Sequence, residues 1–479
     1  MQGAGDTRLW DADVESVVKM PEIDRKHSQA PHNVIIVGGG LAGLAAATAL
    51  VDTECTVTIL ESRRHVGGRA ASFEDPVGGG LVDACQHVAM GCCTSFLSFC
   101  MQTGIADFLR CDRTLFFIGP DGSRTACTPS RVLPAPLHLL PLMFSMNHFS
   151  MLQRIQLGVG MLRLARLRLN DSDRRLTASD WLKKTQQPTK VVEYFWRPVL
   201  ESALGENVDL VSVQAAQKVI VDGFLAHRTA ADLYVPTLPL GELFGKRVAQ
   251  WLDDHGVVLK TSSAVTDIRR QSDGQLDSVV CGNEEHPCDA MILAVPWRQA
   301  GRLVPDLVPA ADESLTGSPI TAIHLWFDRP VIDLPHAVFL GFTSQWVFQA
   351  DASHGTESGY CQVVISASRG LFEGDRDVLL ETVLDEIRSA FPKARNAKLL
   401  NSRVVTDPTA VLSVRPGVDS VRPTANTSVN NMFLAGDWTA TGWPSTMEGA
   451  VRSGQVAAEA LRDYLGLPNG RCVVDQRKN

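Results

Sequence analysis

The sequence has no long apolar run. No apolar stretch reaches the ~18 to 20 residues that span a bilayer, and residues 1–30 contain no apolar core of the kind found in signal peptides. We therefore predict that residues 1–30 are a disordered leader and that the protein is cytoplasmic. Basic residues are not in excess either. The formal net charge of −8 excludes the basic field of nucleic-acid binders.

Paired cysteines are also missing. None of the eleven cysteines belongs to a CxxC pair, although Cys85, Cys92, Cys93 and Cys100 lie close together in the sequence. Zinc ligands usually occur as closely spaced pairs with histidine support. We interpret these four residues as reduced thiols of a cytoplasmic protein, with a metal site as the less favoured alternative, and predict no metal cofactor.

The bulk composition is that of a soluble globular protein. Hydrophobic residues make up 45% and charged residues 20% of the sequence, which is typical of folded domains. A chain of 479 residues is too long to fold around one ordinary hydrophobic core, so two or three domains are expected.

A glycine-rich turn opens the folded part of the chain. The stretch NVIIVGGGLAGLAAATALVDTECTVTILE, residues 33–61, has the order strand, turn, helix, strand and acid. Its glycines make a tight turn, admit a pyrophosphate to the backbone and let the helix pack closely on the strand. The helix start offers free N–H groups to phosphates, and the acid suits a ribose diol. An ordinary βαβ unit without a ligand is the alternative. The predicted binding residues are Gly38, Gly40, Leu41, Ala42, Gly43, Glu61 and Ser62.

The continuation SRRHVGGRAAS, residues 62–72, favours FAD over NAD. Gly67, Gly68 and Arg69 follow the acid closely. They resemble the Gly-Gly-Arg extension of glutathione-reductase-like FAD proteins, in particular those of the amine oxidase and phytoene desaturase superfamily. The resemblance implies that Gly68 and Arg69 face the phosphates and ribose of FAD. A solvated surface charge is the alternative for Arg69.

A second glycine turn lies near the end of the chain. The stretch FLAGDWTATGWPSTMEGAVRSG, residues 433–454, resembles the flavin-binding segment of the same superfamily. The resemblance implies that residues 433–435 are the last strand of the dinucleotide sheet, that the aspartate binds the ribityl hydroxyls, and that a helix start faces the flavin. Small residues at 449, 450, 453 and 454 would let this helix press against the cofactor domain. The implied FAD contacts are Gly436, Asp437, Thr446, Met447 and Glu448.

The middle of the chain is expected to complete the cofactor site and form a substrate compartment. By the same resemblance, the backbone of Val265 holds the adenine. We predict an α/β fold with an α+β second domain: a discontinuous, glutathione-reductase-like Rossmann domain that binds FAD, and an inserted mixed-sheet and helical substrate domain. The predicted FAD-binding segments are 31–110, 235–300 and 400–470, and the substrate segments are 111–234 and 301–399.

The segment 131–170 combines an apolar, proline-broken first half with an arginine-bearing second half. Its moderate length and its prolines argue against a membrane span. Apolar residues beside an arginine-rich face suit a helix that lies in an anionic membrane surface, which predicts peripheral contact with the inner face of the cytoplasmic membrane. The alternative is a buried helical lid whose arginines face water.

Several stretches resemble the hydroxysqualene dehydroxylase family, first named squalene-associated FAD-dependent desaturases. The resemblance covers residues 33–465 and implies conversion of hydroxysqualene, a polyisoprenoid, to squalene, with a separate electron donor that reduces the flavin. A carotenoid desaturase, a flavin amine oxidase and a non-catalytic flavin-binding protein are the alternatives. The matching stretches are QHVAMGCCTSFL (86–97), FWRPVLESALGENVDLVSVQAA (195–216), YVPTLPLGELF (234–244), PITAIHLWFDRPV (319–331), SQWVF (344–348) and LAGDWTATGWPSTMEGAVRSG (434–454).

The implied reaction needs a proton donor and a dry, π-rich wall, because an allylic hydroxyl must leave as water. We predict His87, beside Gln86, as the acid, since histidine titrates near neutral pH; Asp83 and Glu201 are weaker candidates. A structural histidine bonded to the backbone is the alternative for His87. Trp346, Phe348, Trp438 and Trp443 are the candidate wall, with core packing as the alternative for each ring.

Two positions depart from the family pattern. Cys85 stands where a small residue such as glycine is expected, and Trp443 stands where an aliphatic side chain is more usual. Both place bulk near the predicted flavin face and bear on the identity of the substrate.

Overall fold

The computed structural model describes residues 31–75, 80–308, 315–349, 359–372 and 374–468. The predicted leader, residues 1–30, lies outside the described residues. The described strands, in chain order, are β1 His32–Val37, β2 Cys55–Leu60, β3 Ser72–Glu74, β4 Leu81–Asp83, β5 Ala89–Met90, β6 Leu109–Asp112, β7 Leu115–Ile118, β8 Arg124–Cys127, β9 Leu233–Pro236, β10 Val258–Lys260, β11 Val265–Arg270, β12 Leu276–Cys281, β13 Glu284–Pro287, β14 Ala290–Leu293, β15 Gly317–Phe327, β16 His336–Phe339, β17 Trp346–Gln349, β18 Tyr360–Ser366, β19 Leu399–Leu412 and β20 Met432–Leu434.

The helices lie mainly between the strands of the first half and at the end of the chain. Three π-helical turns, Val192–Trp196, Val221–Leu225 and Leu243–Val248, continue neighbouring α-helices. The described α-helices are α1 Leu41–Leu50, α2 Thr94–Gln102, α3 Leu140–Ser145, α4 Met151–Ala165, α5 Ala178–Lys184, α6 Thr189–Val191, α7 Arg197–Leu204, α8 Val213–Ile220, α9 Leu240–Glu242, α10 Ala249–Asp254, α11 Trp297–Leu303, α12 Arg369–Phe372, α13 Arg376–Ala390 and α14 Met447–Leu465.

Five strands form a parallel sheet in the order β10-β2-β1-β14-β20. Its central strands are apolar runs buried on both faces, as expected when helices or other layers cover a parallel sheet. Val34 and Ile36 pack toward α1 and α14. Ile35 and Val37 pack on the opposite face, against α11 and the sheet β11-β12-β13.

Small residues set the distance between this sheet and its two covering helices. A Cβ atom on Gly43 would lie 2.0 Å from the carbonyl oxygen of Gly38, and one on Gly454 would lie 2.1 Å from that of Ala42. Only glycine therefore fits where α1 leaves β1 and where α14 crosses α1. The close packing that the sequence predicted for both glycine motifs is confirmed.

A larger sheet of seven strands, in the order β19-β15-β18-β17-β16-β7-β8, lies further along the chain. Side chains alternate between its two faces. Ile323 and Val363 point to one face and pack against Val383 and Ile387 of α13. The opposite face carries polar and aromatic side chains, and the hairpin β3-β4 packs on it.

The helices between β8 and β9 pack around a third apolar core. Trp181, Trp196 and Leu200 lie at its centre. The segment 137–165 contributes Leu157 and Met161 from one side of α4. Within the described part of the chain, no helix is long and apolar enough to cross a membrane.

The proposed domain boundaries need one adjustment. Residues 400–412 were assigned to the FAD-binding segments, but β19 pairs with β15 along ten residue positions and belongs to the seven-stranded sheet. The sequence did not reveal this because the pairing joins two strands that are remote in sequence. We place the return to the FAD-binding part after Leu412. The described residues from His32 onward form one compact unit.

Candidate active site

The first glycine turn forms an open cradle at the start of α1. Gly40 is the N-cap residue of α1, and no side chain caps it. A Cβ atom on Gly40 would approach only Gly68, at 3.9 Å. Leu41 and Ala42 are buried, so the first N–H groups of the helix lie in a sheltered position. These N–H groups have no acceptor within the helix. Such a helix start is suited to binding a phosphate group.

Glu61 lies directly beside this cradle. It is buried, and its carboxylate accepts hydrogen bonds from the backbone N–H groups of Gly39 (2.7 Å) and Arg63 (2.8 Å) and from the hydroxyl of Ser62 (3.1 Å). The chain after β10 runs alongside, since the N–H of Ser263 donates to the Glu61 carbonyl at 2.8 Å. Val265 follows two residues later, so the predicted ribose and adenine contacts lie near each other.

The Gly-Gly-Arg extension lies against the same turn. The N–H of Gly67 donates to the Gly39 carbonyl at 2.8 Å, and Gly68 follows with a positive φ of 64°. Arg69 then reaches the second glycine motif. Its guanidinium donates to Asp437 at 2.5 Å and to the carbonyl of Ala410 at 2.8 Å. Burial would lower the pKa of Arg69, but the charge of Asp437 raises it above its ordinary value.

The Arg69–Asp437 ion pair joins the two cofactor motifs across 368 residues. The hydroxyl of Ser445 also donates to Asp437. Arg69 is therefore not the solvated surface charge that the sequence left open as an alternative. The predicted contacts of Arg69 with phosphate and of Asp437 with the ribityl chain remain predictions.

The last helix begins as the sequence predicted. Thr446 is the N-cap of α14, and its hydroxyl accepts the N–H of Gly449 at 3.1 Å. Met447, the first helical residue, is half-buried. Glu448 is fully buried, and its carboxylate accepts the N–H groups of Ser95 (3.2 Å) and Phe96 (2.7 Å) at the start of α2. Burial raises the pKa of Glu448, and these two backbone bonds oppose the rise.

These features fit FAD. The first motif provides an uncapped, sheltered helix start at Gly40, where an added Cβ atom would meet only Gly68 at 3.9 Å. The second provides another helix start, joined to the first motif by an ion pair. The two helix starts suit the two ends of a dinucleotide: Gly38 to Gly43, Glu61 and Arg69 for the pyrophosphate and ribose, and Gly436 to Glu448 for the flavin end.

The segment that follows β4 carries the predicted catalytic residues. The Nδ1–H of His87 donates to the carbonyl of Cys85 at 2.7 Å. Burial lowers the pKa of His87, the bond to Cys85 opposes this, and the charge of Arg69 adds to the lowering. A lowered pKa reduces the population of the imidazolium form at neutral pH. This geometry is the backbone-bonded arrangement that the sequence analysis kept as the alternative to an acid.

Gln86 connects the same segment to the seven-stranded sheet. Its N–H donates to the side-chain oxygen of Gln362, and the side-chain nitrogen of Gln362 donates to the carbonyl of Asp83 at 3.2 Å. Gln362 therefore binds the chain on both sides of Cys85. Its contacts fix residues 83–87 on the polar and aromatic face of the large sheet.

The two weaker acid candidates bind backbone groups. Asp83 accepts the hydroxyl of Ser72 (2.5 Å) and the N–H of Leu240 (2.8 Å), and so caps α9. Burial raises the pKa of Asp83 to about 6. Glu201 accepts bonds from Arg197 (2.9 Å) and from the N–H of Val208 (3.2 Å). Burial raises the pKa of Glu201, while both partners oppose the rise.

The four candidate wall residues lie in different settings. Trp438 is fully buried, and its Nε1–H donates to the carbonyl of Val295 at 2.9 Å. It packs in the apolar core on one face of the parallel sheet, so the core-packing alternative describes this ring. Trp443 lies between two cations, with Lys218 4.7 Å and Arg452 5.8 Å from its ring centre. Lys218 also forms an ion pair with Asp222 at 2.5 Å.

Trp346 and Phe348 form a parallel pair on the face of the large sheet. Their rings are 5.4 Å apart with an interplanar angle of 3°. The Trp346 Nε1–H donates to the hydroxyl of Ser202 at 2.8 Å, which fixes the plane of the pair. This pair is a π-rich surface on the face to which Gln362 attaches the segment 83–87.

Sequence reasoning missed the polar residues of this sheet face. His336 bonds Asp112 at 3.1 Å, and His324 bonds the hydroxyl of Tyr360 at 2.8 Å. Both histidines are fully buried. Burial lowers the pKa of His324 to about 4. A lone histidine inside the apolar strand ITAIHLWF was the one available signal for this network.

In the part of the chain that the structure describes, no three His, Cys, Asp or Glu side chains are arranged to hold a metal ion. Cys100 is buried and Cys85 is half-buried. Burial raises the pKa of both thiols, that of Cys85 to about 12.

Comparisons with known proteins agree with this geometry. Residues 41–462 match the family described as flavin containing amine oxidoreductase. The chain is 23% identical over 458 residues to 15-cis-phytoene desaturase of Solanum lycopersicum, across 91% of this chain and 78% of that protein. It is 25% identical over 449 residues to hydroxysqualene dehydroxylase of Sinorhizobium fredii, across 90% of this chain and 98% of that protein.

The fold resembles that of cyclohexylamine oxidase from Brevibacterium oxydans, with a TM-score of 0.65 and 18% identity across 91% of this chain and 100% of that one. The predicted fold class and the predicted FAD cofactor are confirmed. With its two cofactor motifs joined through Arg69 and Asp437, the chain belongs to the flavin-containing amine oxidoreductase family and is an FAD-dependent oxidoreductase.

Proposed function

We propose that this oxidoreductase converts hydroxysqualene to squalene. The observation that carries the proposal is the sheet face opposite residues 83–87, where the parallel pair Trp346 and Phe348 lies near buried, proton-bearing side chains. The similarity to the Sinorhizobium fredii hydroxysqualene dehydroxylase extends over nearly the whole of that protein, and the sequence stretches around both aromatic residues belong to the resemblance.

The chemistry requires the substrate hydroxyl to leave as water while a hydride takes its place. Bound FAD, in its reduced form, supplies that hydride. The chain itself excludes water, since bulk water would recapture an allylic cation. The faces of Trp346 and Phe348 stabilise positive charge through their π systems. A proton donor near the hydroxyl makes it a better leaving group, and His87 is the donor that the sequence favours.

Phytoene desaturation is the second candidate. It is favoured by the similarity to 15-cis-phytoene desaturase of Solanum lycopersicum, which covers 91% of this chain. A desaturase removes hydride from its substrate, so it needs an oxidised flavin at the start and no donor for a leaving hydroxyl. The buried histidines and carboxylates of the sheet face have no evident part in that reaction.

An anaerobic turnover experiment tests the proposal. The purified holoenzyme is reduced with dithionite and mixed with hydroxysqualene in detergent. We expect the flavin to be reoxidised and squalene to accumulate in equal amount. A flavin that stays reduced, with no squalene, rejects the proposal. New conjugated double bonds when the oxidised enzyme receives phytoene would then establish the desaturase, and bleaching by amines would establish an amine oxidase.

We also propose that the protein binds the inner face of the cytoplasmic membrane through residues 131–170. The outward side of α4 is apolar, with Leu152 65% and Ile155 57% exposed. Val159 and Leu162 continue the same stripe at helical spacing. The buried-lid alternative explains Leu157 and Met161 on the inner side but leaves this outer stripe without a partner in the described structure.

The charges of this segment suit an anionic surface. Residues 131–170 contain five arginines and no aspartate or glutamate, in a chain whose net charge is −8. Arg163 and Arg166 are exposed beside the apolar stripe. An amphipathic helix with apolar residues and flanking arginines binds anionic lipid headgroups and buries its apolar side among the acyl chains.

Vesicle sedimentation tests the membrane proposal. We expect the holoenzyme to sediment with phosphatidylglycerol-containing vesicles at low salt and to do so much less with phosphatidylcholine alone. The double substitution Leu152→Glu and Ile155→Glu should abolish sedimentation. Val378→Glu is the matched control, because Val378 is 59% exposed on α13. Equal sedimentation of both variants contradicts the proposed surface.

A further inference from the structure

His336, on β16 of the seven-stranded sheet, is fully buried and bonds Asp112, a partly exposed residue of β6. The Nδ1–H of His336 donates to the Oδ2 atom of Asp112 at 3.1 Å. Arg110 binds the same carboxylate through two further hydrogen bonds, at 2.9 and 3.0 Å. Burial alone would raise the pKa of Asp112, but His336 and Arg110 hold it below its usual range. Asp112 is therefore a carboxylate that can stabilise a charged imidazole.

The second ring nitrogen of His336, Nε2, has no hydrogen-bond partner among the residues that the structure describes, and the side chain is fully buried. The rings of Phe116, Trp346 and Phe348 lie around it, with centres 5.7, 6.0 and 6.3 Å from the imidazole. A buried polar atom without a partner destabilises the folded state. Such an atom calls for an explanation, and a catalytic role is one of the few available.

The sheet register connects His336 to the predicted flavin segment. His336 pairs with Phe348, and Phe348 pairs with Gln362. These three residues therefore lie in one row on one face, with a spacing of about 4.8 Å between strands. Gln362 binds the N–H of Gln86. Nε2 of His336 thus belongs to the same sheet face as the aromatic pair and the segment that carries His87.

We propose that His336, held by Asp112, donates the proton to the departing hydroxyl of the substrate. This inference rests on the proposed dehydroxylation. The Nε2–H bond breaks, a new O–H bond forms, and the allylic C–O bond breaks to release water. The hydride that completes the C–H bond comes from the reduced flavin, which is thereby oxidised. Afterwards His336 is neutral and takes up a proton again.

The surroundings favour His336 over His87 for this task. His336 faces a carboxylate, whereas His87 faces a backbone carbonyl and the positive charge of Arg69. A carboxylate partner stabilises the imidazolium and leaves its other N–H available as a donor. The neighbouring strands β7 and β17 contribute uncharged rings.

The other charged residues near His336 and Asp112 lie on β6 or next to it, up to the start of β9. Asp112 and Arg110 lie on β6, and the adjacent strand β9 begins beside Asp232, which lies 3.8 Å from Arg113. The contribution of His336 to any pH dependence of the reaction must be distinguished from contributions of these charged groups. The substitution Asp112→Asn addresses this directly, because it removes the charge that faces the imidazole and keeps the shape of the side chain.

Single-turnover kinetics test the inference. The reduced holoenzyme is mixed anaerobically with hydroxysqualene over a range of pH, and the reappearance of oxidised flavin is followed. We expect His336→Gln to slow reoxidation roughly 10² to 10⁴-fold. The wild-type rate is expected to decline with rising pH, because the donor must carry a proton, and this decline should be lost in His336→Gln. Asp112→Asn should slow the reaction by a smaller factor and shift its pH profile. His286→Gln is the matched control, because His286 also lies beside a carboxylate, 3.8 Å from Glu284, but on β13.

The outcomes separate this inference from the proposed function. A wild type that forms no squalene rejects the proposed function, and the donor role falls with it. A wild type that forms squalene while His336→Gln keeps the wild-type rate and pH profile overturns the inference alone. Loss of the pH profile in His87→Gln but not in His336→Gln assigns the donor to His87. Where His336→Gln fails to retain FAD, an unchanged pH profile in Asp112→Asn contradicts the inference.

Discussion

The two large sheets of this protein bring their functional residues together in different ways. The five-stranded parallel sheet collects its site from two short glycine motifs, each of which runs from a strand into a helix. The seven-stranded sheet forms its polar face from single residues on separate strands, and residues from outside the sheet bind them. Asp112 of β6 bonds His336 across 224 residues, and Gln86 bonds Gln362 across 276.

This difference follows from what each site must bind. A dinucleotide phosphate is held by backbone groups at a helix start, which demands particular residues at fixed spacing along the chain. A large apolar substrate is held by side chains on a surface, and any strand can supply them. A contiguous motif is therefore expected for the cofactor, and a dispersed set of residues for the substrate.

The strongest test of the comparison is a disruption of both glycine motifs. Gly43→Val and Gly454→Val each place a side chain about 2 Å from a carbonyl oxygen, so neither helix can keep its position. Overpacking a core costs ~1 to 3 kcal/mol or more, and here the clash is with backbone. We expect both variants to lose bound FAD and to unfold at lower denaturant concentration, measured by flavin absorbance and urea titration.

The control for these variants is Gly158→Ala. A Cβ atom at Gly158 in α4 would meet only the end of Met143, at 3.8 Å. Alanine in a helix interior is favoured over glycine by about 0.5 to 1 kcal/mol, so this variant should keep FAD and gain slight stability. Retention of FAD by Gly454→Val would show that the second motif is not part of the cofactor fold.

The glycine motifs also mark how far the sequence alone could predict the structure. The order strand, turn, helix, strand and acid over residues 33–61 was predicted correctly, because turn, helix and acid each leave a local signal. The predicted boundary at residue 400 placed most of β19 in the FAD-binding segments, because its pairing with β15 depends on contacts that are remote in sequence. The pair of His336 and Asp112 was missed for the same reason.

A smaller effect is expected where the two cofactor motifs meet. Arg69 and Asp437 form an ion pair in which the carboxylate is only 5% exposed. Because the Arg69 side chain is 35% exposed, removing one partner should cost less than the roughly 3 to 5 kcal/mol of a fully buried pair. Arg69→Met and Asp437→Asn should each destabilise the fold and weaken FAD binding. A double-mutant cycle on the free energy of unfolding should give a coupling of about 0.5 to 3 kcal/mol.

The absence of coupling in this cycle would mean that the two motifs bind FAD independently. That result would break the interpretation of the motifs as halves of one site. The cycle should be measured with and without excess FAD, since a ligand that binds both side chains changes the coupling.

The polar face of the large sheet predicts a distinctive pH dependence. The pKa of buried Asp83 is raised to about 6, so its contribution to the free energy of unfolding falls as the pH rises from about 4 to 6. The pKa of His324 is lowered to about 4, so its contribution is present above pH 6.5 and is lost as the pH falls toward 4. Each term is worth up to roughly 3 kcal/mol, and in the wild type they oppose each other.

Single substitutions should therefore give opposite slopes of the free energy of unfolding against pH. Asp83→Asn keeps the oxygen that accepts the N–H of Leu240. Only the contribution of His324 then remains, so the free energy of unfolding should rise from pH 4 to pH 6. His324→Gln leaves the Asp83 term, so stability should fall over the same interval. Urea unfolding at several pH values measures both. Parallel slopes in the two variants would show that the sheet face is hydrated rather than dry.

The smallest effect concerns Glu448, where the cofactor motif and the fold compete for one side chain. The sequence assigned Glu448 to the flavin, whereas its two carboxylate oxygens accept the N–H groups of Ser95 and Phe96. Glutamine has one oxygen and can serve only one of them, so Glu448→Gln should cost about 0.5 to 2 kcal/mol of unfolding free energy as a lost helix cap. Glu459→Gln, on the exposed side of the same helix, should change stability by less than about 0.5 kcal/mol. If Glu448→Gln lowers stability but leaves the FAD dissociation constant unchanged, the side chain serves α2, and the flavin end depends on the backbone of α14. If the dissociation constant rises more than the stability loss explains, the motif acts on FAD through this carboxylate, and the cofactor site depends on side chains as the substrate face does.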